Sequence, residues 1–148
     1  MIEYPPLTRL TQAETMEALQ RALLAEQQAV IDYHHHAQVS DRPGIREALE
    51  SLRDVEREHA LRLMRRIEAL GGQPAPLGPQ SPPAGKTLSA QLVRDLRGEQ
   101  WAIVEYARLV AGIVDDDETA TLMAELLLDE IQHAAWLKDT LLVLQGEG

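Results

Sequence analysis

Apolar residues recur at intervals of three and four along most of the chain, which is the spacing of helices with one buried face. Leu, Ala, Glu, Arg and Gln dominate, Phe is absent, and alternating strand patterns are nearly absent. The pattern predicts an all-α domain spanning residues 1–148. Its four helices are expected at about 11–40, 43–71, 87–114 and 117–145.

Local signals mark the helix ends. Thr11 and Glu14 have the spacing of a capping box, so the first helix should begin at this point. Pro43 suits the first turn of the second helix, and Gly71-Gly72 predicts a left-handed cap at its end. The acidic run at 115–118 suits the N-terminus of the fourth helix, where the helix dipole favours negative charge.

The connections predict the topology. The first and third are about four residues long, so each joins an antiparallel helical hairpin. The second covers 72–86 and contains Pro74, Pro76, Pro79, Pro82 and Pro83. These residues extend to about 45 Å at about 3.1 Å each, and a helix of about 28 residues is about 42 Å long. We therefore expect one long Pro-rich crossover, with the second and third helices parallel.

A carboxylate interrupts the apolar face of each predicted helix, and a His follows two of these carboxylates three residues later. The residues are Glu26, Glu56 with His59, Glu99, and Glu130 with His133. Adding 73 or 74 to the positions in the first hairpin gives those in the second, and the same shift relates Tyr33 to Tyr106. Two hairpins related by a pseudo-twofold axis would bring these residues to one centre.

The doubled pattern predicts two metal ions. Residues three apart are neighbours on a helix, so Glu56 with His59, and Glu130 with His133, can each bind one ion. Four buried carboxylates would otherwise cost several kcal/mol each, and these faces carry no Lys or Arg. Two divalent cations would neutralise them. Because the chain has no Cys, its ligands are oxygen and nitrogen, which favour iron or manganese.

Residues 128–137 read Leu-Asp-Glu-Ile-Gln-His-Ala-Ala-Trp-Leu, which resembles the Asp-Glu-x-x-His-x-x-Trp-Leu segment of bacterioferritins. With the doubled pattern, the chain resembles the ferritin-like di-iron family and its four-helix bundle. The resemblance implies that Glu26, Glu56 and His59 hold one iron, and that Glu99, Glu130 and His133 hold the other. It further implies that Glu56 and Glu130 bridge the ions, and that Tyr33 lies close enough to supply an electron or a hydrogen bond.

The function implied by this resemblance is ferroxidation. Fe(II) would be oxidised to Fe(III) by O₂ or H₂O₂, and the iron would be stored or detoxified in a homo-oligomeric shell. A shell of 12 subunits is as well supported as one of 24, because the sequence stops without a fifth helix. Haem is not expected by the bacterioferritin route, because Arg57 occupies the position of the haem-binding Met. Met16, Met64 and Met123 remain available in principle.

Several alternatives stay open. A rubrerythrin-like peroxidase or a di-iron hydroxylase would use the same ligands, although Ala102 and the absence of Cys weigh against rubrerythrin. A Dps-like protective shell would have to bind DNA with a net charge of −10, which disfavours a nucleic-acid partner. A metal-free structural bundle is a further alternative. With no signal peptide and no long apolar segment, the sequence predicts a cytoplasmic protein without a membrane partner.

Other residues have two interpretations each. His34, His35 and His36 are about 100° apart around a helix, so they cannot share one ion. His36 either supports the metal site or belongs to a helix surface or a subunit contact. Tyr106 is either a core residue or a redox partner, while Trp101 and Trp136 are more typical of packing or subunit interfaces.

Overall fold

The computed structural model describes residues 8–78, 80 and 85–147, and helices account for most of them. The helices are α1 (Gln12–Val39), α2 (Pro43–Ala69), α3 (Leu88–Gly112) and α4 (Asp117–Glu147). No strand occurs among the described residues. The predicted all-α fold is confirmed, and each helix lies within two residues of its predicted bounds.

The helix ends follow the local sequence signals. At α1, the Glu14 N–H donates to Thr11 Oγ1 at 3.1 Å, and the Thr11 N–H donates to Glu14 Oε1 at 3.0 Å, which completes the capping box. After α2, Gly71 adopts a φ of 88°, and its N–H and that of Gly72 donate to carbonyls of the last helical turn. The acidic run also caps α4 as expected, because Asp116 Oδ1 accepts the Thr119 N–H at 3.0 Å.

The predicted end of α4 is two residues too early. The helix continues through Gly146 to Glu147, whose carboxylate lies 2.5 Å from the Arg42 guanidinium. A single Gly costs a helix only about 1 kcal/mol relative to Ala, so it does not by itself end one.

Two core clusters establish the direction of the helices. In the first, Leu19 of α1 and Leu126 of α4 pack with Leu63 and Leu109, from the second halves of α2 and α3. In the second, Tyr33, Ala37 and Leu137 pack with Leu49 and Leu92, from the first halves of α2 and α3. Helices α2 and α3 therefore begin at the same end of the bundle and run parallel.

The connection between α2 and α3 joins opposite ends of the bundle. Its first residues lie against α1, where the Gln20 side chain donates to Gln73 O at 2.7 Å and accepts the Ala75 N–H at 2.8 Å. Pro79, Pro82 and Pro83 lie outside the described residues. No helix in the described part of the chain is long and apolar enough to cross a membrane.

Candidate metal centre

The six predicted ligands converge in the middle of the bundle, between the two core clusters. None of them is more than 7% exposed. Their ligand atoms form two groups, each with all atoms within 4.8 Å of one another: Glu26, Glu56, His59 and Glu130, and Glu56, Glu99, Glu130 and His133. Glu56 and Glu130 belong to both groups. The arrangement provides two adjacent positions for cations that share two carboxylates.

Each His faces carboxylates from both hairpins. His59 Nδ1 lies 3.1 Å from Glu130 Oε1 and 3.5 Å from Glu26 Oε1. His133 Nδ1 lies 2.7 Å from Glu56 Oε1 and 3.5 Å from Glu99 Oε1. The two rings stack at an interplanar angle of 18°, with their centroids 6.3 Å apart.

The donor atoms fit a pair of divalent cations. In the part of the chain that the structure describes, nothing hydrogen-bonds Nδ1 of either His ring or at least one buried carboxylate oxygen of each of the four Glu residues. A buried polar group left unpaired costs about 1–3 kcal/mol. Nitrogen and carboxylate oxygen atoms that converge without hydrogen-bond alignment have the arrangement of ligands around a metal ion.

The electrostatics of the cluster also favour cations. Burial and the charges of Glu26, Glu130 and Glu99 raise the pKa of Glu56 well above its ordinary value, while burial and the charge of Glu26 do the same for Glu130. Burial opposes charge on His59, but the carboxylates of Glu130 and Glu26 outweigh it and raise the pKa of His59 to about 10. The cluster therefore holds excess negative charge, which the metal-free protein neutralises with protons.

The two tyrosines donate hydrogen bonds across the hairpins to Glu99 and Glu26, the two carboxylates that each belong to only one group. Tyr33 of α1 donates its hydroxyl proton to Glu99 Oε1 of α3 at 2.5 Å. Tyr106 of α3 donates to Glu26 Oε1 of α1 at 2.7 Å. Burial and the surrounding carboxylates raise the pKa of both hydroxyls, so both remain protonated donors. Tyr106 is therefore buried with a satisfied hydroxyl, as the first of its two interpretations predicts, while the redox role stays a prediction.

One contact at the site was missed by sequence reasoning. Asp129 Oδ2 lies 2.8 Å from His59 Nε2, on the side of the ring opposite the carboxylate cluster. The signal was the Asp that immediately precedes Glu130, because adjacent helical residues point about 100° apart and cannot both face the same centre. His133 lacks this support, since no described residue hydrogen-bonds its Nε2. In the repeat, the position equivalent to Asp129 is occupied by Val55, which cannot accept a hydrogen bond through its side chain.

The three consecutive His residues face different directions around α1 and do not converge on one point. His34 is exposed beside Arg53, His35 is half-buried, and His36 is fully buried with Nδ1 2.7 Å from Asp95 Oδ2. Of the two Trp residues, Trp101 is 44% exposed and Trp136 packs partly buried against the second core cluster.

A cleft between α1 and α3 leads to the carboxylates. It has a volume of about 170 Å³, and the buried side chains of Glu26, Glu56, Glu99 and Glu130 are among its lining residues. Small residues, among them Ala29, Gly98 and Ala102, form much of its wall and leave the space open. Asp32, Arg94 and Asp95 supply polar groups along the same wall.

A family model described as a ferritin-like domain matches residues 16–146, which includes all six residues of the centre. The chain belongs to the ferritin-like family. The predicted family and its four-helix fold are confirmed.

Solved ferritin-like structures superpose closely on the chain. A dodecameric thioferritin, the bacterioferritin-related protein of Bacteroides fragilis, has a TM-score of 0.84 at 24% identity, over 94% of this chain and 90% of that one. Mycobacterium tuberculosis bacterioferritin has a TM-score of 0.81 at 24% identity, over 95% and 91% of the two chains. A Rhodobacter capsulatus bacterioferritin with a metal-free dinuclear site has a TM-score of 0.77 at 26% identity, over 93% and 89%.

A curated relative from Dechloromonas aromatica (strain RCB) is a 3-demethoxyubiquinol 3-hydroxylase. It is 34% identical over 114 residues, which cover 69% of this chain. The aligned part amounts to 54% of the relative, so the chain spans about half of its length.

Proposed function

We propose that the chain is a ferroxidase that oxidises Fe(II) to Fe(III) with O₂ or H₂O₂. The observation that carries this proposal is the membership of Glu56 and Glu130 in both ligand groups. Two carboxylates shared between adjacent positions can hold two ions close enough to give up one electron each to the same oxidant.

The residues have distinct proposed roles. Glu56 and Glu130 bridge the two irons. Glu26 with His59 completes the coordination of one iron, and Glu99 with His133 completes that of the other. Tyr33 and Tyr106 hold the terminal carboxylates through their hydroxyl protons. These hydrogen bonds orient Glu99 and Glu26 and leave their second oxygens free for metal.

The ligand chemistry suits this reaction. Two Fe(II) ions supply two electrons, which reduce H₂O₂ and two protons to two water molecules, or O₂ and two protons to H₂O₂. Carboxylates are hard ligands that suit the Fe(III) product. Six protein side chains on two ions leave coordination positions for the oxidant.

The test is aerobic addition of Fe(II) to the purified protein. We expect oxidation well above the rate in buffer, and loss of that acceleration in Glu56→Gln and Glu130→Gln. Glu58→Gln is the matched control, because Glu58 lies two residues from Glu56 on the same helix but is exposed. A rate equal to buffer, or full activity in Glu56→Gln, would exclude the proposal.

Iron storage is a separate part of the proposal because it requires a shell. The similarity to a dodecameric thioferritin supports a homo-oligomer of 12 subunits, with 24 as the larger alternative. Light scattering coupled to size exclusion distinguishes the two sizes. A monomer or dimer would leave ferroxidase activity standing but remove storage.

A second candidate is oxidation of a small organic substrate. The cleft of about 170 Å³ that reaches the carboxylates, and the similarity to a hydroxylase, both favour it. Hydroxylation consumes reductant, so oxygen uptake with an external electron donor should then exceed the amount needed to oxidise the bound iron. Uptake that stops after two Fe(II) per chain are oxidised would favour the ferroxidase.

A further inference from the structure

The repeat that relates the two hairpins breaks at one buried polar pair. His36 of α1 and Asp95 of α3 are in contact at 2.7 Å, with side chains 0% and 1% exposed. The repeat relates His36 to Leu109 and Asp95 to Ala22, and both of these are fully buried apolar residues. The same fold therefore packs the equivalent position in the other half without a polar group.

The surrounding contacts keep the symmetry. Arg94 Nε lies 3.2 Å from Asp32 Oδ2, and the repeat relates this ion pair to Arg21 and Glu105, whose side chains are also 3.2 Å apart. Both halves thus join α1 to α3 through an outer ion pair. Because the outer ion pairs already join α1 to α3 in both halves, the buried pair in one half requires another explanation.

The buried pair carries a cost that packing alone does not explain. Nε2 of His36 is buried without a hydrogen-bond partner among the described residues, and an unpaired buried polar group costs about 1–3 kcal/mol. Burial raises the pKa of Asp95 to about 6, although the hydrogen bond with His36 lowers it. A carboxyl group in this range can both hold and release a proton near neutral pH.

Asp95 lines the same cleft as the carboxylates of the centre. It lies one helical turn before Glu99, while Asp32 and the 43%-exposed side chain of Arg94 line the same wall. At about 30 Å³ per molecule, a space of about 170 Å³ has room for several waters. Waters between these polar groups could connect Asp95 with solvent at one end and with the carboxylates at the other.

We propose that Asp95, positioned by His36, relays protons through the cleft to the metal centre. This inference rests on the proposed function, whose oxidant must receive two protons at a buried site. The Asp95 carboxylic acid gives its proton through water to the reduced oxygen. Solvent then reprotonates the carboxylate through the outer cleft. His36 Nδ1–H stabilises the carboxylate between the two transfers.

The decisive variant is the double substitution His36→Leu with Asp95→Ala, which copies the Leu109 and Ala22 of the other half. We expect it to fold and to bind two Fe(II) per chain without oxygen, while its oxidation rate falls at least about tenfold. Glu105→Gln, at the position equivalent to Asp32, is the control and should keep the wild-type rate. Wild-type oxidation in the double variant would overturn the relay, and so would loss of Fe(II) binding.

Chemical rescue distinguishes proton transfer from a structural role. In Asp95→Ala the space of the lost carboxylate joins the cleft, so formate should restore oxidation in a saturable manner while chloride should not. A solvent deuterium isotope effect should be larger in Asp95→Ala than in the wild type, and formate should reduce it. No rescue by formate at any concentration would contradict the relay.

Zn(II) binding tests the relay without iron oxidation. Binding displaces protons from the buried carboxylates, and a pH indicator in weak buffer follows their release. We expect slower release in Asp95→Ala and recovery with formate. If the wild type fails to oxidise Fe(II) but the proton release still depends on Asp95, the ferroxidase proposal fails and the relay stands. Unchanged release would overturn the relay alone.

Discussion

Asp129 Oδ2 lies 2.8 Å from His59 Nε2 and fixes the ring so that Nδ1 faces the carboxylate cluster. This contact selects the tautomer in which Nδ1 is free to bind metal, because Nε2 carries the proton that Asp129 accepts. The Asp129 side chain is 43% exposed, so it can be changed with little effect on packing.

Asp129→Asn should therefore weaken metal binding without unfolding the protein. Loss of such a supporting contact typically lowers metal affinity about 10–100-fold. Titration of the metal-free protein with Co(II), followed by its visible absorption, measures the effect. Asp139→Asn, an exposed Asp on the same helix, is the control. Unchanged Co(II) affinity in Asp129→Asn would show that the ring needs no such support.

The two metal positions should also differ in affinity. His59 has Asp129 behind it, while the repeat gives His133 only Val55 at the equivalent place. We expect Zn(II) to bind in two calorimetric steps, the tighter one at His59. Asp129→Asn should bring the two steps together. A single step with two ions per wild-type chain would contradict this inequivalence.

The metal-free protein should lose stability as the pH rises from about 6.5 to about 10. The pKa of His59 is raised from 6.5 to about 10, so its stabilising charge is present below pH 6.5 and is lost through pH 10. Burial and neighbouring carboxylates raise the pKa values of Glu56 and Glu130, so the unfolded chain releases these protons first and stability again falls as pH rises.

Thermal unfolding followed by circular dichroism at pH 6.5, 8 and 9.5 checks this expectation. The Tm should fall with pH in the presence of a chelator. With Zn(II) bound, the carboxylates are neutralised by metal and the fall should be smaller. A chelated protein whose Tm is constant across this range would contradict the proposed excess of buried negative charge.

Tyr33→Phe and Tyr106→Phe should each destabilise the metal-free protein. Each removes the hydrogen bond to one buried carboxylate, and a hydrogen bond to a charged group contributes about 1.5–3 kcal/mol. Urea unfolding measures the change. The metal-bound form should lose less, because metal ligation holds Glu99 and Glu26 independently. An equal loss of stability with and without metal would show that the substitutions act through packing alone.

The sequence was sufficient for the fold because each element had its own local signal. The capping box at Thr11 marks the start of α1, and the glycine cap at Gly71 marks the end of α2. Apolar residues three and four apart give each helix one buried face. The six central residues could be identified from the sequence for a related reason. A charged residue inside an apolar stripe has a large cost, so its presence marks a site.

Contacts between side chains of different helices were harder to predict from the sequence than the helices themselves. The partner of His36 is 59 residues away, and that of His59 is 70 residues away on a partly exposed position. Asp95 lies one turn before Glu99 on the buried face of α3, but the repeat places Ala22 at the equivalent position, so the doubled pattern did not single it out. Asp129 points about 100° away from Glu130, so periodicity gave no reason to single it out either. Only the packing of α1 on α3 and of α2 on α4 brings these side chains together.

The crossed tyrosine contacts have a consequence for the release of bound ions. Tyr33 of the first hairpin holds Glu99 of the second, and Tyr106 of the second holds Glu26 of the first. Each of the two candidate ligand groups draws residues from both hairpins, so separating the hairpins would dismantle both positions at once. Local opening at the seam between α1 and α3 would therefore empty the pair together and not one ion at a time.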